Sequence, residues 1–129
     1  MSEETIYLAC PYSPLGWLGL PIIRTIVMAW RHRVANIVAA RLMTAGYVVF
    51  SPLSHSHRIA PHLYVSPTDN EFWLAQCLPW LRASQALRII PIGGWDKSKG
   101  LSIEIDEANR IEVPVSFVDP PGFLEVILG

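Results

Sequence analysis

A glutamate on the apolar side of a short helix is the first residue of this sequence that could carry chemistry. Residues 93–110, GGWDKSKGLSIEIDEANR, predict a glycine-rich turn followed by a helix. At about 100° per residue, Leu101, Ala108 and Ile111 share one face, and Glu104 falls within their arc. A carboxyl group in apolar surroundings can help to break a glycosidic bond, by proton transfer or by attack on the sugar carbon. The alternative is that Glu104 lies at the edge of the arc and only caps a neighbouring group.

The turn before this helix suits an anion. Lys97, Ser98, Lys99 and Gly100 bring two ammonium groups and backbone N–H groups to a helix N-terminus, where negative charge is favoured. The turn is not a P-loop, because the pattern G-x-x-x-x-G-K-[ST] is absent. An ordinary solvated turn has the same composition, so both interpretations stay open.

Histidines and aromatic rings form a second group of candidates. His55 and His57 point to opposite faces of an extended chain, and neither cysteine has a Cys-x-x-Cys partner, so we expect no metal site. We expect instead a histidine that hydrogen-bonds a ligand or the loop backbone. Four aromatic side chains either stack on a base or belong to the core: Tyr7, Tyr12, Trp73 and Trp95.

A parallel sheet can bring these loops together. Strands that are continuous apolar runs and alternate with helices indicate a three-layer α/β/α sandwich with a parallel sheet of four to five strands, as in flavodoxin or Rossmann folds. Ligands bind outside the carboxyl ends of such strands, where the polar segments of this chain occur. The predicted strands are 6–10, 47–52, 86–92 and 114–118, and the predicted helices are 22–46, 71–84, the segment after Gly100 and a short closing turn.

Four residues or segments mark the expected boundaries. Pro21 suits the start of the first helix and Gly46 its end. Pro79 should kink or interrupt the second helix. Residues 54–70 read as a long loop.

Length and composition indicate a single domain over residues 1–129. Hydrophobic residues make up 51% of the 129-residue chain, enough for one well-buried core. Charged residues make up only 16%, against roughly 25% in an average soluble chain. We therefore expect another subunit to cover part of the surface, in a homo-oligomer of two or more copies, with the apolar loop PLGWLGLP, residues 14–21, as one contact.

Charge, hydropathy and cysteine content indicate which partners and which compartment are expected. The net charge is −1 and the positive charges are scattered, so we expect no nucleic acid polymer as partner. The most apolar run contains Pro21 and Arg24, which indicates no membrane segment. Two distant cysteines, Cys10 and Cys77, and an acidic N-terminus without a signal peptide indicate reduced thiols in the cytoplasm.

Together these motifs resemble the nucleoside 2-deoxyribosyltransferase-like superfamily, and more closely an uncharacterised bacterial and phage branch of it. The resemblance covers roughly residues 5–118. It rests on YLACPYS at residues 7–13, VVFSP at 48–52, GGW at 93–95, and the spacing from Ser98 through Gly100 to Glu104.

The resemblance implies roles for the candidate residues. Glu104 would attack the anomeric carbon of a nucleoside, and Tyr7 would hydrogen-bond that carboxylate. Superfamily members that act on free nucleosides carry Asp at the position of Ser98, and those that act on 5′-monophosphates carry Ser. A hydroxyl there, beside Lys97 and Lys99, removes repulsion toward a phosphate, so we expect the turn to bind one, with no metal or organic cofactor. Further substrate contacts are expected from Cys10, Tyr12, Ser54, His57 and Cys77.

Two departures from the superfamily pattern leave the function open. Cys77 and Gln85 stand where relatives usually carry Asp, and a thiol is a poor general acid. Asp69 or a loop histidine could substitute. We expect an enzyme that hydrolyses or transfers the N-glycosidic bond of nucleoside 5′-monophosphates or related ribosyl compounds. The alternatives are an inactive nucleotide-binding module and a subunit whose apolar surface serves assembly only.

Overall fold

Four short strands form one parallel sheet. A computed structural model of the chain describes residues 4–12, 20–64 and 69–129. The strand order is β2-β1-β3-β4, and all pairs are parallel. The strands are β1 Thr5–Ala9, β2 Val48–Phe50, β3 Ala86–Ile89 and β4 Val115–Phe117. The predicted parallel sheet of four to five strands is confirmed, with four strands in the described residues.

Helices cover both faces of this sheet. The helices are α1 Pro21–Thr44, α2 Pro52–Ser56, α3 Asn70–Arg82, α4 Lys99–Arg110 and α5 Phe123–Leu128, with short 3₁₀ turns at Ala60–His62 and Trp95–Lys97. Helices α1 and α5 contact each other, and so do α3 and α4. The connection from β1 to β2 and the connection from β2 to β3 run in opposite directions along the sheet. Because parallel crossovers are right-handed, the helices of these two connections lie on opposite faces.

Each face of the sheet has its own core. Leu8 packs with Val34 and Val38 of α1, whereas Tyr7 packs with Leu81 of α3 and Leu101 of α4. Successive side chains of a strand point to opposite faces, so a strand covered on both sides is apolar at every position. The continuous apolar runs of the sequence follow from this arrangement.

Most predicted boundaries are close to the observed ones. Pro21 is the first residue of α1, and Gly46 adopts a left-handed φ of 99° just beyond its end. Helix α3 runs through Pro79 without interruption, so the predicted interruption is wrong, and a kink at Pro79 stays a prediction. Strand β3 ends earlier than predicted, because the chain turns where the Ile92 N–H bonds the Ile90 carbonyl at 2.9 Å.

The predicted loop over 54–70 is partly helical. Helix α2 starts with Pro52, and the side chain of Ser51 accepts a hydrogen bond of 3.3 Å from the Ser54 N–H. A serine cap followed by proline at the first helical position is a recognised signal for the start of a helix. The prediction of a loop was wrong because it did not take this local signal into account. Most of the predicted contact loop PLGWLGLP lies outside the described residues. Of the helices in the described parts, none has the length and apolar character needed to cross a membrane.

Candidate functional site

A cavity of about 220 Å³ lies at the carboxyl ends of the strands. Its lining includes Cys10 after β1, Pro52 after β2, and Lys97 and Gly100 from the turn after β3. Strand order reverses between β1 and β3, because β1 leads to β2 on one side and β3 lies on the other. Ligand sites of doubly wound sheets form at such a switch point.

Glu104 and Tyr7 form a hydrogen-bonded pair at the inner side of the cavity. Glu104 lies in the second turn of α4 and lines the cavity, while Tyr7 is fully buried in β1. The Tyr7 hydroxyl donates to Oε2 of Glu104. Burial raises the pKa of Glu104 to about 7, against the lowering effect of the Tyr7 hydrogen bond. Burial and the Glu104 charge raise the pKa of Tyr7 far above its ordinary value, so Tyr7 remains a donor.

The start of α4 forms the cationic part of the lining. Lys97, Ser98, Lys99 and Gly100 all line the cavity. Ser98 caps α4, because its hydroxyl accepts a 3.3 Å hydrogen bond from the Leu101 N–H. A hydroxyl in this role can still donate its own hydrogen to an oxygen in the cavity. The first N–H groups of a helix have no acceptor within it, so the turn suits an anion.

Both cysteines of the chain line the cavity. Cys77 is buried on α3 and interacts with the hydroxyl groups of Tyr7 and Ser56. Burial, with a smaller contribution from the Glu104 charge, raises the pKa of Cys77 to about 11. Burial also raises the pKa of Cys10 to about 12. Both groups are therefore neutral thiols near pH 7, and neither releases a proton readily.

Tyr12 lines the cavity, but two other predicted ligand contacts lie outside its lining. His57 lies close to Tyr12, with its Nδ1 2.5 Å from the Tyr12 hydroxyl oxygen. The hydroxyl of Ser54 is buried, and within the described residues it has no hydrogen-bond partner. Over the same residues, no group of three or more His, Cys, Asp or Glu side chains could hold a metal ion.

The apolar wall of the cavity comes largely from residues that the sequence analysis did not select. Trp73 was considered as a stacking residue and does line the cavity, whereas Trp95 packs edge-on against Phe117. Spacing along α3 could have identified more of the wall, because positions 70, 73, 74 and 77 fall on one helical face. The additional lining residues are Pro52, Leu53, Ser56, Ala60, Asn70, Leu74 and Leu101.

The raised pKa of Glu104 predicts a cost in stability. Its pKa is about 7 in the folded chain and near 4.5 when unfolded, so the unfolded chain binds fewer protons between these values and stability falls as pH rises through them. We expect Glu104→Gln, which keeps an acceptor for Tyr7, to raise the free energy of unfolding by about 3 kcal/mol at pH 8 and hardly at all below pH 4.5. Urea denaturation at both pH values measures this difference.

Glu107 on the same helix is the matched control. It pairs with Arg82 and Arg110 at 2.6 Å each, and these partners lower its pKa to about 2. Glu107→Gln should therefore not stabilise the chain at pH 8. Equal stability of wild type and Glu104→Gln at pH 8 would contradict a desolvated carboxylate at position 104.

Comparison with known proteins places this chain in a family. Residues 4–119 match the family described as Domain of unknown function (DUF1937). Among solved structures, a 2-deoxyribosyltransferase from the psychrotolerant bacterium Bacillus psychrosaccharolyticus is similar, with 20% identity, a TM-score of 0.54, and coverage of 92% of this chain and 74% of that one. A search of curated proteins returns no match. The chain therefore belongs to the DUF1937 family, and its fold is that of the nucleoside 2-deoxyribosyltransferases.

Proposed function

We propose that this chain, as a single domain over residues 1–129, cleaves the N-glycosidic bond of nucleoside 5′-monophosphates or related ribosyl compounds and passes the sugar to water or to a second base. One observation carries the proposal. Glu104, which accepts a hydrogen bond from Tyr7, lines the same cavity as the cationic start of α4. A nucleophile and an anion-binding turn within one cavity suit a phosphorylated sugar.

The geometry supports Glu104 as the nucleophile. Its carboxylate forms a bond to the anomeric carbon, the bond from that carbon to the base nitrogen breaks, and the electron pair leaves with the base. Tyr7 keeps the attacking carboxylate in place. Because burial raises the pKa of Glu104 to about 7, the ionised fraction of the nucleophile increases as pH rises through neutrality. Attack by this carboxylate is therefore favoured as pH rises from 6 to 8.

The leaving base needs a proton, and the lack of an obvious proton donor among the described residues of the cavity supports an alternative function, that of a nucleotide-binding module. Cys77 occupies the position where the superfamily resemblance expects Asp, and its pKa of about 11 makes it a weak acid. A chain without an effective proton donor would be a nucleotide-binding module that lost catalysis. The two functions share the cavity and differ in turnover.

Restoring a carboxyl group at position 77 tests this difference. Beside Glu104, one of two neighbouring carboxyl groups retains a proton near neutral pH and can donate it to the base. We expect Cys77→Asp to raise base release at least about tenfold. Cys77→Asn, with the same shape and no acidic proton, is the control. Equal rates for the two variants would show that a donor at this position does not limit the reaction.

A release assay tests the proposed function itself. The purified protein is incubated with ribo- and deoxyribonucleosides and their 5′-monophosphates, and free base is followed by chromatography. Release from a monophosphate supports the enzyme and narrows its substrate. Saturable binding without release favours the binding module, and absence of both contradicts both functions.

We also propose that the chain forms a homo-oligomer. Exposed apolar side chains on α1 and α5 support this proposal, and the rings of Trp30 and Phe123 lie 5.3 Å apart where the two helices meet. Exposed large apolar side chains on neighbouring helices are typical of subunit interfaces. The exposed side chains include Ile22, Ile26, Phe123, Leu124 and Ile127.

A further inference from the structure

A cluster of titratable side chains that the proposed reaction does not use lies beside the cavity wall. Tyr12 lines the cavity, and its hydroxyl oxygen lies 2.5 Å from Nδ1 of His57. The ring of His57 stacks on that of His32, with centroids 4.2 Å apart and planes 24° apart. His32 is buried on α1. A continuous contact therefore runs from the cavity through two imidazoles into α1.

From this geometry we infer that the protonation state of His57 decides whether Tyr12 presents a hydrogen-bond acceptor or a donor to the base in the cavity. The inference rests on the proposed function, since it assigns Tyr12 to the base. Neutral His57 accepts the phenolic hydrogen at Nδ1, because a phenol is the stronger acid and an imidazole nitrogen the stronger base. Tyr12 then offers only lone pairs to the cavity.

Protonation reverses these roles. A charged His57 carries hydrogens on both ring nitrogens, so Nδ1 donates to the Tyr12 oxygen. The phenolic hydrogen then turns into the cavity, where it can bond a carbonyl oxygen of a base. The phenol itself does not ionise, because burial raises the pKa of Tyr12 to about 12.

The groups around His57 place this change on the acid side of neutrality. Among the described residues, three titratable or charged groups face it: His32 from α1, Arg58 just after α2, and Tyr12 after β1. Burial, with a smaller contribution from the Arg58 charge, lowers the pKa of His57 below 6.5. Burial, the neighbouring His57 and Arg58 lower the pKa of His32 in the same way. Repulsion between stacked imidazoles disfavours protonation of both.

Sheet order places Tyr12 on the base side of the cavity. Along the sheet, α4 follows β3, Tyr12 follows the central β1, and α2 follows β2. A phosphate at the start of α4 and an anomeric carbon at Glu104 leave the region near β1, α2 and Cys77 of α3 for the base. The hydrogen-bonding role of Tyr12 then selects between amino and carbonyl groups on that base.

The first test needs no ligand. The protein is labelled with ¹³Cζ in tyrosine and ¹⁵N in histidine, and NMR spectra are recorded from pH 5 to 8. We expect the Tyr12 and His57 resonances to shift with one common midpoint below pH 6.5, while the fully exposed Tyr64 does not follow. His55→Phe, a change at an exposed ring on α2, should leave the Tyr12 titration unchanged. A Tyr12 resonance that ignores pH while His57 titrates would overturn the inference.

The second test measures specificity. Affinities are compared within two pairs of 5′-monophosphates that exchange an exocyclic amino group for a carbonyl oxygen, cytidine with uridine and adenosine with inosine. We expect at least one pair to respond to pH. In that pair, the ratio of the affinity for the carbonyl member to the affinity for the amino member should rise about fivefold from pH 8 to pH 5. Titration of the phosphate and of Glu104 affects both members alike and cancels in the ratio.

Two variants separate this role from a structural one. Tyr12→Phe and His57→Phe should each abolish the pH dependence of the ratio, and the double variant should add nothing, because both act through one hydrogen bond. Ratios independent of pH in wild type, with the nucleotides bound, would overturn the specificity role. If no nucleotide binds, the proposed function has failed, and the ligand-free spectra still decide whether His57 controls Tyr12.

Discussion

Replacing Glu104 by glutamine will lower base release at least about 10³-fold. The amide oxygen still accepts a hydrogen bond from Tyr7, so the shape of the site is kept. An amide cannot form a stable glycosyl ester, however, and the reaction loses the bond that splits it into two steps. Initial rates on the substrate found in the release assay, measured at pH 8 where the nucleophile is ionised, give the effect.

Binding should survive this substitution. The start of α4, which we propose as the phosphate site, lies a helical turn before position 104, so Glu104→Gln should bind the monophosphate within a few-fold of wild type. Glu107→Gln serves as the activity control, because Glu107 does not line the cavity and pairs with Arg82 and Arg110. Turnover at the wild-type rate in Glu104→Gln would contradict nucleophilic attack by the Glu104 carboxylate. Another residue of the cavity would then have to be the nucleophile.

The second large effect is expected at Ser98. Asp caps a helix as well as Ser does, so Ser98→Asp should preserve the start of α4 while adding a negative charge to the cavity lining. Two like charges about 5 Å apart at an effective dielectric constant near 20 repel by about 3 kcal/mol. We expect monophosphate affinity to fall on the order of 100-fold. Isothermal titration calorimetry with wild type and variant measures this loss.

Ser98→Asn is the matched control for charge. Asn is isosteric with Asp and also caps helices, so the two variants differ only in the charge at one position. The unphosphorylated nucleoside is the second control, and its affinity should be nearly the same in both. If Ser98→Asp and Ser98→Asn bind the monophosphate equally well, the phosphate does not lie at the start of α4. High salt should reduce the difference in monophosphate affinity between Ser98→Asp and Ser98→Asn, because it screens the added charge.

The layered α/β fold could be predicted from the sequence, because burial on both faces of the sheet requires runs of apolar residues in the strands. Strand β1 is apolar and buried from Ile6 to Ala9, since helices cover both faces of the sheet, and Pro21 and Gly46 mark the two ends of α1. The position of Glu104 was accessible for the same reason, because helical periodicity groups it with Leu101 and Ala108. Helix α2 was missed although the cap signal of Ser51 was present.

Sequence alone therefore determined the α/β architecture, the end of the sheet at which the cavity lies, and the side of α4 that carries Glu104. Only the tertiary structure decided which groups meet there. Tyr7 and Glu104 are 97 positions apart, and Tyr12 and His57 are 45 apart. Contacts of this kind depend on strand register and on the packing of crossover helices, and no local periodicity encodes them. The same packing places His57 outside the cavity lining, stacks it on His32 and brings it within hydrogen-bonding distance of Tyr12.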